Sequence, residues 1–414
     1  MVKISRYFLV IAGILAFAVV LPELYWMAFA KPGNRPFVMY SCIENDFLFQ
    51  RTENGESIRK DTRGNTYSRE EFEQRLPLMY MRQLLVSKTM PDSVNGIELD
   101  MHLININNST FRLRPVDTNS PKPGLYPLFE SQSGRANLEL PNDFFRITWR
   151  MEFVDAETNR VLEEKSRMFS AVLFKREFQF PAKSINGLPT TRKSCDEGYL
   201  VVDAADQLFH IKMKKGEPFV KKVDLPGGLK FKHISCVDFR NKNFYAYLFS
   251  ADNHLYILTQ DDYELVEFPV GEMDPEKCEI QIFGDLFHFH VIARSEDFFR
   301  VVALDSSYRK VDEYTETWPG RMERKEGKIF QAVFPGQISL TNPNTPFVNF
   351  YVLFNKSLHW VLLSLILVAA QLVIVRKRKI PFKNQWVDLC LIAVAGIFGF
   401  LAVNIFPNKL LPSA

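Results

Sequence analysis

Ser235-Cys236, then Phe244-Tyr245-Ala246-Tyr247-Leu248-Phe249, then Leu255-Tyr256-Ile257-Leu258, closing at Phe268-Pro269, reads as an apolar strand, a turn and a second apolar strand. The same order stands on either side of it. Upstream come Ser194-Cys195, Tyr199-Leu200-Val201-Val202-Asp203 and Leu208-Phe209-His210-Ile211, with a polar stretch to Pro226. Downstream come Lys277-Cys278, Phe287-His288-Phe289-His290-Val291-Ile292 and Phe298-Phe299-Arg300-Val301-Val302, closing near Val311. The cysteines stand 41 and 42 residues apart, and the strand pairs keep step with them. Units of about 40 to 45 residues built from consecutive antiparallel strands mark a propeller. A partial fourth copy is expected at Lys328 to Leu340. The fold class that follows is mainly β, with a propeller-like domain favoured over a plain β-sandwich and residues 191–355 as its repeat region.

Upstream, residues 31–190 read as a β-rich region with a helical insertion at 68–90. Phe47 to Gln50 and Ser57 to Lys60 flank Asn54-Gly55, a strong hairpin signal. Ser68-Arg69-Glu70-Glu71 is a capping box and starts a short helix that Pro77 ends; Leu78 to Met90 then reads as a second amphipathic helix, ended by Pro91. Asn107 to Asn142, rich in Asn, Ser, Pro and Gly, reads as a long loop with at most a short element. Phe144 to Val154 alternates, with Arg160 to Lys165 as its return strand, and Met168 to Phe180 reads as a further apolar strand pair. Counting these as degenerate units gives five or six blades.

Three apolar segments frame this body. Tyr7 to Ala30 follows Lys3 and Arg6, and crossing the hydrocarbon core takes about 20 residues. An uncleaved anchor over residues 1–30 is favoured. The alternative is a cleaved signal peptide, because Ala28-Phe29-Ala30 has the form of a processing site. Leu358 to Val375 and Trp386 to Phe406 form a helical hairpin within residues 356–414. The connection carries Arg376, Lys377, Arg378, Lys379 and Lys383, and with Lys3 and Arg6 these residues place the N-terminus and this loop in the cytoplasm. The β-rich body and the C-terminal tail are then extracytoplasmic, and the expected location is the inner membrane, with the lipid bilayer as a partner. Ala395, Gly396, Gly399 and Ala402 recur three or four apart and mark a helix packing face. Glu23, Asp388, Gln371 and Asn404 are the polar residues in or near the spans, with Glu23 and Asp388 expected near helix ends within reach of water.

The chain has 414 residues and a formal net charge of +3. Setting aside the seven cytoplasmic Lys and Arg leaves 44 basic against 48 acidic residues. A nucleic-acid partner is therefore not expected, since phosphate binding needs a concentrated basic surface. The basic loop reads chiefly as a topology signal, with contact to anionic lipid or a partner as the alternative. Cys195, Cys236 and Cys278 read as small buried residues in separate units rather than as a disulfide or metal set. His288 and His290 share a strand face, but with His210 and His254 they lack ligand spacing, so neither metal nor cofactor is expected. Walker, dinucleotide-binding, nucleophile-elbow and Cys-x-x-Cys patterns are absent from the sequence, and an enzyme is not expected.

Asp61-Thr62-Arg63-Gly64-Asn65-Thr66-Tyr67-Ser68-Arg69-Glu70-Glu71-Phe72, leading to Leu76-Pro77-Leu78-Met79-Tyr80, joins the Gly198-Tyr199 to Leu208-Phe209-His210 unit and the one-plus-two membrane layout. Together they resemble an uncharacterised Bacteroides-type integral membrane protein family. The resemblance covers most of the chain, and its motifs are structural. It implies a role beside ABC transporter components by association. The expected function is thus a non-enzymatic accessory subunit working with an ABC-type ATPase and permease, its external domain binding a partner or substrate. The alternative is a stand-alone surface sensor or glycan-binding module.

Overall fold

The computed structural model describes residues 2–30, 36–53, 55–134, 137–193, 195–378, 381 and 385–407, and of residues 2 and 3 the backbone alone. The chain divides into two compact units. One is Pro36–Arg294 with Phe299–Thr315; the other is Met1–Arg35 with Ser295–Phe298 and Glu316–Ala414.

After the N-terminal helix α1 (Val2–Phe29), the first of these units opens with a meander of β1 (Phe37–Ser41), β2 (Asp46–Glu53) and β3 (Glu56–Asp61). Glu53 pairs with Glu56, so the two-residue turn falls at positions 54 and 55. Gly55 there takes φ 88, which only glycine adopts freely, and Asn54 lies outside the described residues. The capping box forms as expected. The Glu71 amide donates to Ser68 Oγ at 3.2 Å and the Ser68 amide to the Glu71 carboxylate at 2.8 Å, starting α2 (Arg69–Arg75). α3 (Met81–Ser87) follows, and Phe72 and Leu76 close over Met39 and Leu48 of the first sheet.

The stretch from 107 to 142 is more than a loop. Past the two-residue strands β4 (Ser93–Val94) and β5 (Ile97–Glu98) and helix α4 (Met101–Asn107), it holds strand β6 (Ser109–Leu113) and the single turn α5 (Pro115–Thr118). The next hairpin is also redrawn. β7 (Asp143–Ile147) pairs with β8 (Met151–Asp155) across a turn at Thr148 to Arg150, and the expected return strand shrinks to one bridge between Val154 and Val161. Met168 to Phe180 is not a strand pair, because Glu163–Lys175 forms helix α6. Its buried Ser166, Phe169, Ser170 and Leu173 recur at helical spacing. The serines complete β8: Ser166 Oγ accepts from the Phe153 amide at 2.9 Å and Ser170 Oγ from the Met151 amide at 3.1 Å. Buried amides that a neighbouring strand would have paired are satisfied by a helix instead.

Three antiparallel four-stranded meanders follow. The first runs β9 (Ser184–Gly187), β10 (Tyr199–Val202), β11 (Leu208–Lys214), β12 (Glu217–Lys222); the second β13 (Phe231–Cys236), β14 (Phe244–Ser250), β15 (Leu255–Thr259), β16 (Leu265–Glu267). The third runs β17 (Glu279–Gly284), β18 (His288–Arg294), β19 (Phe298–Asp305), β20 (Lys310–Thr317), and β6 joins its edge from Ile280↔Leu113 to Gly284↔Ser109. β10 and β14 are buried along their whole length. Tyr199 and Val201 pack with Phe145, Phe153 and Phe169, while Leu200 and Val202 pack with Ile234, Tyr245 and Leu248. Both faces of β10 are covered, which is why its sequence is an unbroken apolar run. The unit is mainly β, and no closed propeller forms among the described residues.

The other unit carries helix α7 (Lys325–Val333) and the hairpin of β21 (Gly336–Ser339) and β22 (Tyr351–Phe354), where a fourth strand unit was expected at Lys328 to Leu340. Phe330 and Phe334, one helical turn apart, stack on Trp26 and Phe398 with centroids 4.8 and 5.7 Å apart, which favours helix over strand. α1, α8 (His359–Lys377) and α9 (Trp386–Ile405) are each long and apolar enough to cross a membrane. α9, however, is broken. Gly396 takes φ 55 and ψ −130, and the chain doubles back there. The Arg6 guanidinium reaches both Asp388, near one end of α9, and the Phe406 carbonyl just past the other. A straight helix would hold those groups about 27 Å apart.

Candidate functional site

Strand alternation decides what faces the space between the first two meanders. On β11, Phe209 and Ile211 turn to the aromatic core, which leaves Leu208, His210 and Lys212 on the opposite face. His210 is fully buried there. Its Nε2 meets the Glu197 carbonyl, which can only accept, so Nε2 carries the proton and Nδ1 accepts from Tyr263 Oη at 3.0 Å. Tyr245 Oη donates onward to Tyr263 Oη at 3.5 Å. Burial, helped by the Lys212 charge, pushes His210 down to about 3, so the ring is neutral at pH 7.

Three lysines surround this relay. Lys212 and Lys242 both bind the Glu197 carboxylate, the latter at 3.3 Å, and against its burial they hold it below the usual carboxylate range. Lys193 Nζ donates to Asp196 Oδ1 at 2.5 Å, while burial pushes Asp196 upward. Cys236 Sγ donates to the Asn186 carbonyl at 3.2 Å, and burial raises its thiol to about 12. The volume open to water is about 10 Å³, room for a single molecule. Chemically this is a closed hydrogen-bond chain flanked by paired charges, joining two sheets.

The histidines singled out from sequence do not converge. His288 and His290 do share a face, with ring centroids 6.1 Å apart, and His290 Nε2 lies 3.2 Å from the Tyr40 carbonyl. His254 pairs with Glu267 at 2.8 Å. Among the described residues no group of three or more His, Cys, Asp or Glu is arranged to hold a metal. The five cysteines are free.

In the helical unit, Arg376, Lys377 and Arg378 are exposed at the end of α8, and Lys379 and Lys383 lie outside the described residues. Ala402 is buried beside Val10 and Ile392, close to Gly13 of α1. Gly396 sits against Ser364 and Pro335, Gly399 against the backbone of Leu391, and Ala395 is half-buried. The break at Gly396 thus distributes these four residues over several contacts rather than one straight face. Asp388 is not within reach of water, contrary to expectation. It is 1% exposed and bound by Arg6, itself 6% exposed. Asn404 Nδ2 donates to Gln371 Oε1 at 2.9 Å. The signal for the ion pair was present as one charge of each sign close to the start of an apolar segment.

A family profile matches residues 37–304, from the first strand of the β unit to the penultimate residue of β19. The chain belongs to the DUF4857 family. DUF4857 is described as a domain of unknown function. No curated protein matches this DUF4857 chain. Similar solved structures include the Dos1 propeller, with 12% identity over 44% of this chain and 46% of that one and a TM-score of 0.26. PorZ, described as an essential bacterial surface component of the type-IX secretion system of Porphyromonas gingivalis, has 10% identity over 69% of this chain and 32% of its own, TM-score 0.22. The β-propeller domain of Myceliophteria thermophila Cps50 (Swd1) has 10% identity over 67% of each chain, TM-score 0.24. The DUF4857 chain spans less than half the length of the first two.

Proposed function

We propose that this DUF4857 protein is a non-enzymatic component of a bacterial inner membrane that works with an ABC-type ATPase and permease. Its N-terminus and the Arg376 to Arg378 turn face the cytoplasm, and its β unit, outside, binds a partner or substrate. The observation that carries this reading is the contrast in how polar groups are used. His210, Tyr263 and Glu197 are engaged with one another around space for one water, a scaffold rather than a reacting constellation. Arg376, Lys377 and Arg378 stand exposed beside an apolar helix, where an acidic segment of a membrane partner or an anionic headgroup would meet them. Purification of the full chain in mild detergent tests this. An ATPase or permease is expected to co-purify, and less of it with the triple Arg376→Ala, Lys377→Ala, Arg378→Ala variant; recovery of the chain alone under several conditions counts against the reading.

A second reading, a stand-alone surface sensor or glycan-binding module, is favoured by Trp149. Its indole is 67% exposed in the β7–β8 turn, with the Arg150 guanidinium 4.5 Å from its ring, a flat amphipathic platform of the kind that binding surfaces use. Saccharides that raise the melting temperature of the full chain but not of Trp149→Ala would favour it.

A further inference from the structure

Each half of α9, Trp386 to Ala395 and Ile397 to Ile405, is about 15 Å long at 1.5 Å per residue, half of a hydrocarbon core about 30 Å thick. Both ends return to Arg6, through Asp388 on the way in and Phe406 on the way out. The return half is tied to α8 by Asn404 and Gln371. α9 therefore accounts for one half-layer only.

The other half-layer has its own occupant in the same unit. Pro335 and Ser364 cap the reversal at Gly396. Phe334 stacks on Phe398, Phe330 stacks on Trp26, and Ile338 of β21 packs in the same cluster with Ala18 and Leu21 of α1. α7 and β21 thus lie along the stretch of α1 remote from Arg6. Beyond them the hairpin exposes Phe347, Val348, Phe350, Val352, Phe354 and Leu358, immediately before α8 begins at His359. So many large apolar side chains exposed within one short segment, leading in sequence straight into an apolar helix, are not left to water.

We propose that α9 is a re-entrant hairpin that enters and leaves on the Arg6 face, and that α7 with β21–β22 enters from the opposite face, its exposed phenylalanines and valines against lipid. The inference rests on the membrane-anchored reading above. An open two-stranded edge cannot sit in dry hydrocarbon, because its free amides need partners; with Pro335 against the α9 turn and Ile338 packed on α1, β21 runs from there toward the interfacial level, where water and headgroups reach the Ser339↔Tyr351 end of the hairpin. Tyr351, Trp360 and Trp26, the last with the Arg321 guanidinium 3.6 Å from its ring, are the residue types that settle at that level. The turn of α9 is covered by Pro335 and Ser364, which is how broken helix is tolerated at depth.

The test uses the full chain in membranes. A reporter at the C-terminus is expected on the same face as one at the N-terminus; a C-terminus on the opposite face overturns the re-entrant helix. In liposomes, a nitroxide at Val348→Cys, with native cysteines replaced, is expected to show an oxygen-to-nickel-chelate collision ratio several-fold above that at Ser307→Cys, an exposed turn of the β unit. A ratio equal to that control, or protection from both reagents as under a protein partner, overturns the lipid contact. If the cysteine-free chain does not fold, Phe350→Trp in the native background replaces it: added fluorescence quenched by brominated lipid supports the contact, and unquenched added fluorescence overturns it. Carbonate washing separates the two levels. Release of the chain from membranes defeats the anchored reading itself, whereas retention with a misplaced C-terminus defeats only this inference.

Discussion

Arg6 and Asp388 are joined by two parallel hydrogen bonds, Nη1 to Oδ1 at 2.9 Å and Nη2 to Oδ2 at 2.8 Å, with both side chains buried. The third donor, Nε, is used on the Phe406 carbonyl at 2.9 Å. A buried pair of this geometry contributes little net stability, but removing one member strands the other charge. Arg6→Ala or Asp388→Ala is expected to cost about 3–5 kcal/mol, whereas Arg6→Met with Asp388→Leu costs less than either single change. Unfolding of the detergent-solubilised chain checks the cycle; equal losses in single and double variants would refute it.

The reversal in α9 depends on two glycines. Gly396 at φ 55 would carry a Cβ 3.0 Å from Ser364 Oγ, and Gly399 would carry one 2.5 Å from the Leu391 carbonyl. Gly396→Ala is expected to destabilise by about 1–3 kcal/mol and Gly399→Ala by at least as much. Gly227→Ala, in open space, is expected to stay within about 0.5 kcal/mol. Melting temperatures of the three variants give the comparison.

Stability is expected to fall on mild acidification. His210 is held down to about 3 and His233 to about 4, in each case by burial first and then by a neighbouring lysine, Lys212 and Lys122 respectively. Unfolded histidine takes a proton near pH 6.5 and the folded rings do not, so their contribution is full above that value and is lost below it. The slope is about 1.4 kcal/mol per pH unit for each histidine. Between about pH 6.5 and 5 unfolded carboxylates are still largely ionised, so the buried rings, with His288 also lowered by its burial, set the sign of the slope. His254, raised by Glu267, acts above it. Denaturant titrations of the chain and of His210→Gln are expected to differ by one histidine's share of the slope.

Thiol chemistry should follow burial. Cys42 and Cys236 are raised to about 12 and Cys278 to about 11, all by burial. The thiolate is the reactive form, so at pH 8 a polar disulfide reagent is expected to leave these three unmodified until denaturant is added. Mass spectrometry of the labelled chain reads this directly.

What could be read in advance was whatever a local pattern encodes. The Ser68 capping box and the Asn54-Gly55 turn need only neighbours a few residues away. The apolar runs of β14 and β15 announce strands because both faces are covered. α6 was hidden because Ser166 and Ser170, polar in sequence, are buried against the backbone of β8. His210 was visible as a candidate, but Glu197 and Tyr263 reach it from loops beyond adjacent strands, which no spacing rule links. Gly396 reads in the sequence as a small packing residue, although its part is to turn the chain.

β6 bears on how this protein can be dissected. Ser109 to Leu113 supplies the outer strand of the sheet that β17 to β20 complete much later in the chain. A fragment beginning at the first cysteine unit would leave β17 with a bare row of amides and carbonyls, a template for pairing with another copy. Such a truncation also strips β9 and the Phe145, Phe153 and Phe169 core from β10, so insoluble product from it would report missing partners rather than an unstable repeat, and a fragment that keeps the strands from Phe37 onward is the one to express.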